Sequence, residues 1–489
     1  MSTPPASASR PFDAAVVGAG PNGLAAALRL QEAGLRVVLY ERAPEPGGGL
    51  RTEALTLPGF WHDTCSAIHP MALSAPCIQR LPLADHGLRW VHPLAPFAHP
   101  FADRPALTLE RSVDETADQL EVDAASYRRF VRPFVERWAE LVADAMGPPG
   151  LPAAPLLLAH FGVQALIPAR LLAKLWFRGR AARALFAGVA GHSVLPLDRS
   201  PSAAIGMMLQ FAAHAVGWPF PAGGAAGLAK AMAALFVARG GTLRCNVDID
   251  ALDAVETDGP VLFDTGPRAL SRIAGPALPA GTRARLERFR YGPGLFKVDW
   301  ALSGPIPWAD PRVARAATVH IGEGLDEIAE SEAAPWRGEV SARPYLIIVQ
   351  CSIFDDSRAP AGQHTAWGYL HTPPHDPRDH TALIEARIER LAPGFRDRIL
   401  ARHRLSPAGL EARNPNCVGG DVNGGAADLD QLFTRPLVAL PYQTPNPRIY
   451  LCSASTPPGG GVHGMGGDNA ARLALRRMGL QPRLAGPVG

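Results

Sequence analysis

Gly18, Gly20 and Gly23 stand in VVGAGPNG with the spacing G-x-G-x-x-G, and a second glycine cluster, CSASTPPGGGVHGMGGDN, occupies residues 452–469. In the first motif each glycine has a distinct task. Gly18 permits a tight turn, Gly20 lets backbone approach a pyrophosphate, and Gly23 lets the next helix pack closely on a sheet. Pro21 and Asn22 open that helix, whose free N–H groups and positive dipole end attract phosphate. Glu41 falls at the distance where an acid accepts hydrogen bonds from ribose hydroxyls. A carboxylate there disfavours a 2′-phosphate, so the motif reads as a dinucleotide site of the non-phosphorylated kind.

These residues need a frame to hold them. Ala14–Val17 is a short apolar run of the kind buried in a parallel sheet. Leu24–Ala33 has helical composition, Gly34 stops it, and Arg36–Tyr40 reads as a second strand ending at Glu41. Near the other end RIYLCS reads as a strand, and AARLALRRM as a helix, with the second glycine cluster between them. The fold class is α/β.

Composition narrows the function. A formal charge of +3 on 489 residues gives no basic excess for nucleic acid. The 49 glycines and 49 prolines predict many turns and few long helices. The six cysteines have neither CxxC nor metal-site spacing, and a disulfide framework is not suggested in so large a chain. No metal site is indicated. The first ten residues lack the basic and apolar regions of a secretory signal and read as a disordered lead-in. A cytoplasmic location is the default.

After Glu41 come Arg42 and the rest of RAPEPGGGLRTEAL, with Gly48, Gly49, Arg51 and Thr52, then LPGFWHDTCSAIHPMALSAP. This arrangement resembles the FAD-dependent family that joins phytoene desaturases, carotenoid isomerases and amine oxidases, and within it the phytoene dehydrogenase-related branch. The segment PAGGAAGLAKAMAALFVARGGTLRCNVDID is similar to that family's central stretch. The likeness places Val247 where the backbone pairs with adenine. YGPGLFKVDWALSGPIPW resembles the strand that, in amine oxidases, brings a lysine to flavin N5 through a water; Lys297 falls on that lysine. The second glycine cluster resembles the closing FAD motif, which implies that His463, Gly464 and Met465 lie near the ring and that N–H groups over Gly464–Gly467 stabilise the reduced flavin.

The resemblance implies a discontinuous Rossmann-type FAD domain at 11–75, 218–270 and 440–489. A mixed-sheet substrate domain would take 76–114 and 271–439, and a helical subdomain 115–217. Strand-like LFKVDWAL, TVHIG and PYLIIVQCSIF fit an antiparallel sheet flooring a substrate cavity. Residues 153–183 mix leucines with basic residues. They read either as a buried helix pair with charges on a solvated face, or as an interfacial helix giving peripheral membrane contact.

The chemistry that follows is flavin chemistry, for which protein groups orient the substrate and tune the ring. Lys297 and His463 are the catalytic candidates. Asp63, His69, Asp421 and Asn423 could reach the cavity, but an N-cap, a structural histidine and a turn cluster are the plainer readings. No second G-x-G-x-x-G follows a strand, so electrons would leave to oxygen, a quinone or another acceptor. The reading is an FAD-dependent dehydrogenase or oxidase for a hydrophobic polyene, isoprenoid or lipid-like substrate. Alternatives are a redox-neutral double-bond isomerase, an amine oxidase, or a non-catalytic lipid- or prenyl-binding protein on the same fold.

Overall fold

A computed structural model describes residues 10–432, 435–437 and 441–481. The N-terminal residues 1–9, expected to be a disordered lead-in, lie outside the described residues.

A five-stranded parallel sheet is built from remote parts of the chain. Its order is Ile449–Leu451, Val261–Phe263, Ala14–Val17, Val37–Tyr40 and Thr242–Arg244. The three inner sequences, VLF, AAVV and VVLY, and the edge strand IYL are buried on every residue. A parallel sheet covered by helices on both faces requires such uninterrupted apolar runs. The helix Pro21–Glu32 starts with proline at its first position, where no N–H is needed, and its alanines pack tightly in the core. Gly34, with φ +87, turns the chain back toward the second strand.

A seven-stranded mixed sheet forms the second unit. Its order is Ile399–Leu405, Gly294–Leu302, His364–Thr372, Leu346–Val349, Ala316–Ile321, Ala95–His99 and Leu107–Leu109. The neighbours are antiparallel except Ala95–His99 with Ala316–Ile321, which run parallel. Strand alternation sorts the side chains. Phe296, Val298, Trp300 and Leu302 join Ile348, Ile384, Ile388 and Phe395 in one core. Leu295, Lys297 and Asp299 take the opposite face, together with Trp367, Tyr369 and His371 of the paired strand. Between residues 113 and 215 the chain is helical, including Trp138–Met146, Pro155–Ala165, Ala169–Trp176, Arg180–Ala190 and Ser202–Ala215. Phe130, Phe134, Phe186 and Phe211 interlock there as an aromatic cluster. No single helix among the described residues is long and apolar enough to cross a membrane.

The chain's two ends meet at one contact. The closing helix, Met465–Arg477, lies against Pro21–Glu32 so closely that a Cβ at Gly467 would stand 1.8 Å from the Asn22 carbonyl oxygen. Fully buried Asp468 pairs with Arg29 at 2.6 Å, Arg472 at 2.7 Å and Arg80 at 3.0 Å, which ties the closing helix to the first and to the end of the short helix Pro76–Gln79. Burial alone would raise the Asp468 carboxyl; the three guanidinium groups outweigh it and hold the pKa below its ordinary value.

The consequence is measurable. Asp468→Ala removes the buried carboxylate that Arg29, Arg80 and Arg472 share, leaving Arg29 with Glu32 alone, and should cost up to about 3–5 kcal/mol in denaturant unfolding, the usual penalty for breaking a buried pair. Because the folded pKa is depressed, the wild-type contribution is intact above the ordinary carboxyl value of about 4 and fades as pH falls below it. The variant should lack that part of the acid-side loss.

Candidate functional site

One cavity of about 650 Å³ runs from the glycine loop at the edge of the parallel sheet to the mixed sheet and the helical region. Gly18, Gly20, Pro21, Asn22, Glu41, Arg42, Gly48, Gly49, Arg51, Val247 and His463 all line it. Gly23 does not. It lies behind the wall, where a Cβ would stand 1.9 Å from the Gly18 carbonyl oxygen, so its small size lets the helix follow the turn directly.

Glu41 organises the first loop. Its carboxylate accepts from the N–H of Ala19 and of Ala43, each at 2.9 Å, with the Arg51 guanidinium 3.7 Å away. The loop is also held by a group the sequence motif does not contain. Asp264, just past the strand Val261–Phe263, accepts from the Gly23 N–H at 2.9 Å. With Pro21 lacking an N–H, the Asn22 N–H remains in the first turn. Enclosure of the Asp264 carboxyl, with Glu41 nearby, pushes its pKa up to about 8. At neutral pH it is mostly the uncharged acid and adds little repulsion to an approaching phosphate.

Val247 departs from expectation. The strand ends at Arg244, and the Val247 N–H donates to the Glu41 carbonyl at 3.0 Å. Its N–H is therefore committed to the protein, and the carbonyl is the backbone group left for a base. Thr52 is also engaged elsewhere and does not line the cavity. Its hydroxyl donates to Asp63 at 2.8 Å and accepts from the Ala226 N–H, while Asp63 accepts from the Ala225 N–H and from Arg358. Asp63 thus serves the start of the helix Ala226–Ala238, across the chain rather than next to it.

In the closing segment Ser453 to Ser455 and Pro458 to His463 form the wall; Gly464 and Met465 stand behind it. The helix start is largely satisfied from within. Met465 N–H donates to His463 Nδ1 at 3.1 Å, and Gly467 N–H to Asn22 Oδ1 at 3.4 Å. His463 Nε2 bonds the Gly459 carbonyl at 3.2 Å. Both ring nitrogens therefore belong to their own loop, and burial lowers the ring to about 4, so it stays neutral. This histidine fixes the loop's shape and has no proton to exchange with a ligand.

Lys297 does not line the cavity either. Its buried ammonium is paired with Asp299 on the same strand and lies over the Trp367 ring at 5.0 Å. His62 and His403 approach the same carboxylate. Trp367 stands on the cavity wall and Lys297 beneath it. His69 does reach the cavity, with Nε2 at 3.1 Å from Ser66 Oγ. Asp421 and Asn423 line it as well, but Asp421 accepts from the N–H groups of Gly292, Asn423 and Gly425 and so shapes its own turn.

The mixed sheet and the helices supply the rest of the wall: Met146, Phe161, Met208, Leu209, Trp218, Ile347, Val349 and Trp367, with the polar exceptions His192, Thr318, Tyr369 and His371. No local motif marks these. Only the alternation in WGYLHT places Trp367, Tyr369 and His371 on one face.

Such a site fits a dinucleotide: a glycine-freed surface with an acid beside it at one end, and an apolar chamber at the other. Residues 16–81 match the family described as NAD(P)-binding Rossmann-like domain. Over its length the chain is 26% identical to pyridine nucleotide-disulfide oxidoreductase domain-containing protein 2 of Rattus norvegicus, covering 95% of this chain and 93% of that one. Among solved structures, an oxidoreductase from Methanosarcina mazei superposes with a TM-score of 0.65 at 15% identity, over 95% of this chain and 99% of its own. Cyclohexylamine oxidase from Brevibacterium oxydans gives 0.59 at 14% identity, over 95% and 97%. From its first strand to its closing helix, the chain shares the fold of these solved oxidoreductases.

Proposed function

We propose that the protein is an FAD-dependent oxidoreductase, of the phytoene dehydrogenase-related kind, acting on a largely apolar substrate. The observation that carries this is the single cavity in which the Gly18–Gly20 loop, Glu41 and the 453–463 loop share a wall with Phe161, Met208, Trp218 and Ile347. Glu41 would hold ribose, the Gly20–Asn22 backbone the pyrophosphate, and the 453–463 loop the ring. Bound there, FAD would supply hydride acceptance, and oxygen or a quinone would take the electrons onward. The chain's own residues exclude water and orient the substrate; neither His463 nor Lys297 offers a free proton acceptor at the wall.

A peripheral lipid contact belongs to the same reading. The helices Pro155–Ala165 and Ala169–Trp176 meet at 107°, and Leu156, Val163, Leu171 and Leu175 on them are exposed, beside exposed Lys174. Phe161, on the inner side of the first helix, lines the cavity. An apolar elbow with basic neighbours, one helix thick above an apolar chamber, suits the surface of an anionic bilayer.

Three measurements test these statements. The purified protein should be yellow, with flavin absorption near roughly 370 and 450 nm, and substrate should bleach it without air. A colourless protein that binds no added FAD contradicts the proposal. In titrations with FAD, Gly23→Ala should weaken binding by more than about tenfold, ~1.4 kcal/mol, because the new Cβ collides with the Gly18 carbonyl. Above pH 8 wild-type affinity should fall, by at most about tenfold per pH unit for one proton. Deprotonated Asp264 then adds a charge beside the phosphates, and Asp264→Asn should remove that slope. For the elbow, the double substitution Leu171→Asp, Leu175→Asp should reduce co-sedimentation with phosphatidylserine vesicles about tenfold or more, ~1.4 kcal/mol, with an unchanged flavin spectrum.

A further inference from the structure

Within the apolar chamber two histidines break the pattern. His371, on the strand His364–Thr372, is buried and lines the cavity, with Nδ1 2.7 Å from Oε2 of buried Glu332. A carboxylate only accepts hydrogen bonds, so Nδ1 carries a proton, and in the neutral ring Nε2 carries a lone pair. Among the described residues no hydrogen bond reaches Nε2, and the side chain borders the cavity.

His192 is its complement. It follows the helix Arg180–Ala190, lines the same chamber, and has Nε2 2.8 Å from Nε2 of His320. Burial, with His371 nearby, lowers His192 to about 3, and burial holds His320 well below its ordinary value, so each ring keeps a single proton. His320 Nδ1 is buried and without a partner. An orphaned buried N–H is rarer and costlier than an unused lone pair. His320 therefore carries its proton on Nε2 and donates to His192 Nε2. The remaining proton of His192 is on Nδ1, which has no protein partner among the described residues. Trp218 packs edge-on to both rings and keeps this pair in place.

The sheet register sets His320, the partner of His192, two strands from the strand of His371, and His192 and His371 both line the one cavity. His320 faces Ile347, and Ile347 faces Tyr369, two residues from His371 on the same face. The two histidines thus present one acceptor and one donor to a largely apolar chamber, whose wall also carries the Thr318 and Tyr369 hydroxyls. A hydroxyl is the small group that meets both at once. An ether or carbonyl oxygen satisfies only the donor, and a hydrocarbon neither.

We propose that His371 and His192 form a subsite for a single hydroxyl group on an otherwise apolar substrate, the hydroxyl donating to His371 Nε2 and accepting from His192 Nδ1. This rests on the reading of the chamber as the substrate side of a flavoenzyme. It narrows the substrate class to an apolar alcohol and sets pure hydrocarbons aside.

The test compares 1-decanol with its isomer 1-methoxynonane, which has the same atoms but no O–H. Binding to the purified full-length protein is followed by calorimetry and by fluorescence of Trp218 and Trp367, neither of which needs flavin turnover. Wild type should bind the alcohol at least about tenfold more tightly than the ether, the gain of ~1.4 kcal/mol. The ratio should shrink toward one in His371→Phe and in His192→Phe; the latter leaves the His371–Glu332 pair intact if the former does not fold. Equal affinities in wild type, no binding of either probe, or a wild-type ratio in whichever variant folds would overturn the subsite. The flavin spectrum separates the two claims. A colourless protein that keeps the ratio defeats the flavoenzyme reading alone, and a yellow protein without it defeats the subsite alone.

Discussion

The contact between Gly467 and the Asn22 carbonyl, with the Asp468 ion cluster beside it, is the constraint on which the rest depends. It sets the closing helix against the first helix at a spacing that no other side chain at 467 allows. Only with the two helices in that position do the 18–23 and 453–463 loops face the same space. Because the Asp468 carboxylate at its centre is fully buried, the cluster depends on the arginines around it; an unpaired charge there would be costly.

Around that junction the protein divides its work by layer. The parallel sheet supplies turns at its strand ends, where glycine and Glu41 leave room for phosphate and sugar. The mixed sheet supplies a flat face whose alternate residues form a wall. The helical region closes the chamber with Met146, Phe161, Met208 and Leu209. Polar side chains near the cavity are mostly consumed in holding loops. Asp63, Asp421 and His463 each satisfy backbone groups, which leaves the chamber apolar apart from the few positions where a hydrogen-bonding atom stays unpaired.

Much of the fold was legible in the sequence. The strand–glycine–helix–strand run at 14–41 has a local signature, and so does the strand, glycine loop and helix at 449–477. The strand-like run LFKVDWAL falls in the strand Gly294–Leu302. The roles of single residues were harder to read. Lys297 occupies the strand position that its motif suggested, yet Asp299, two residues on, captures it under Trp367, a pairing that depends on strand geometry. Val247 was drawn into a hydrogen bond by Glu41 and Thr52 by the helix at 226, both remote in sequence, while Asp63 meets Thr52 across a short strand pair. Asp264 and the His371–Glu332 pair had no motif at all: they are partners only after the sheets form, and no spacing rule records that.

The central claim is that two loops more than four hundred residues apart serve one ligand. Hydrogen–deuterium exchange on the purified protein, with and without added FAD, tests it most directly. The account predicts that FAD slows exchange at both 18–23 and 453–463, with the same concentration dependence. Protection confined to the first loop, with 453–463 exchanging at its free rate, would contradict it.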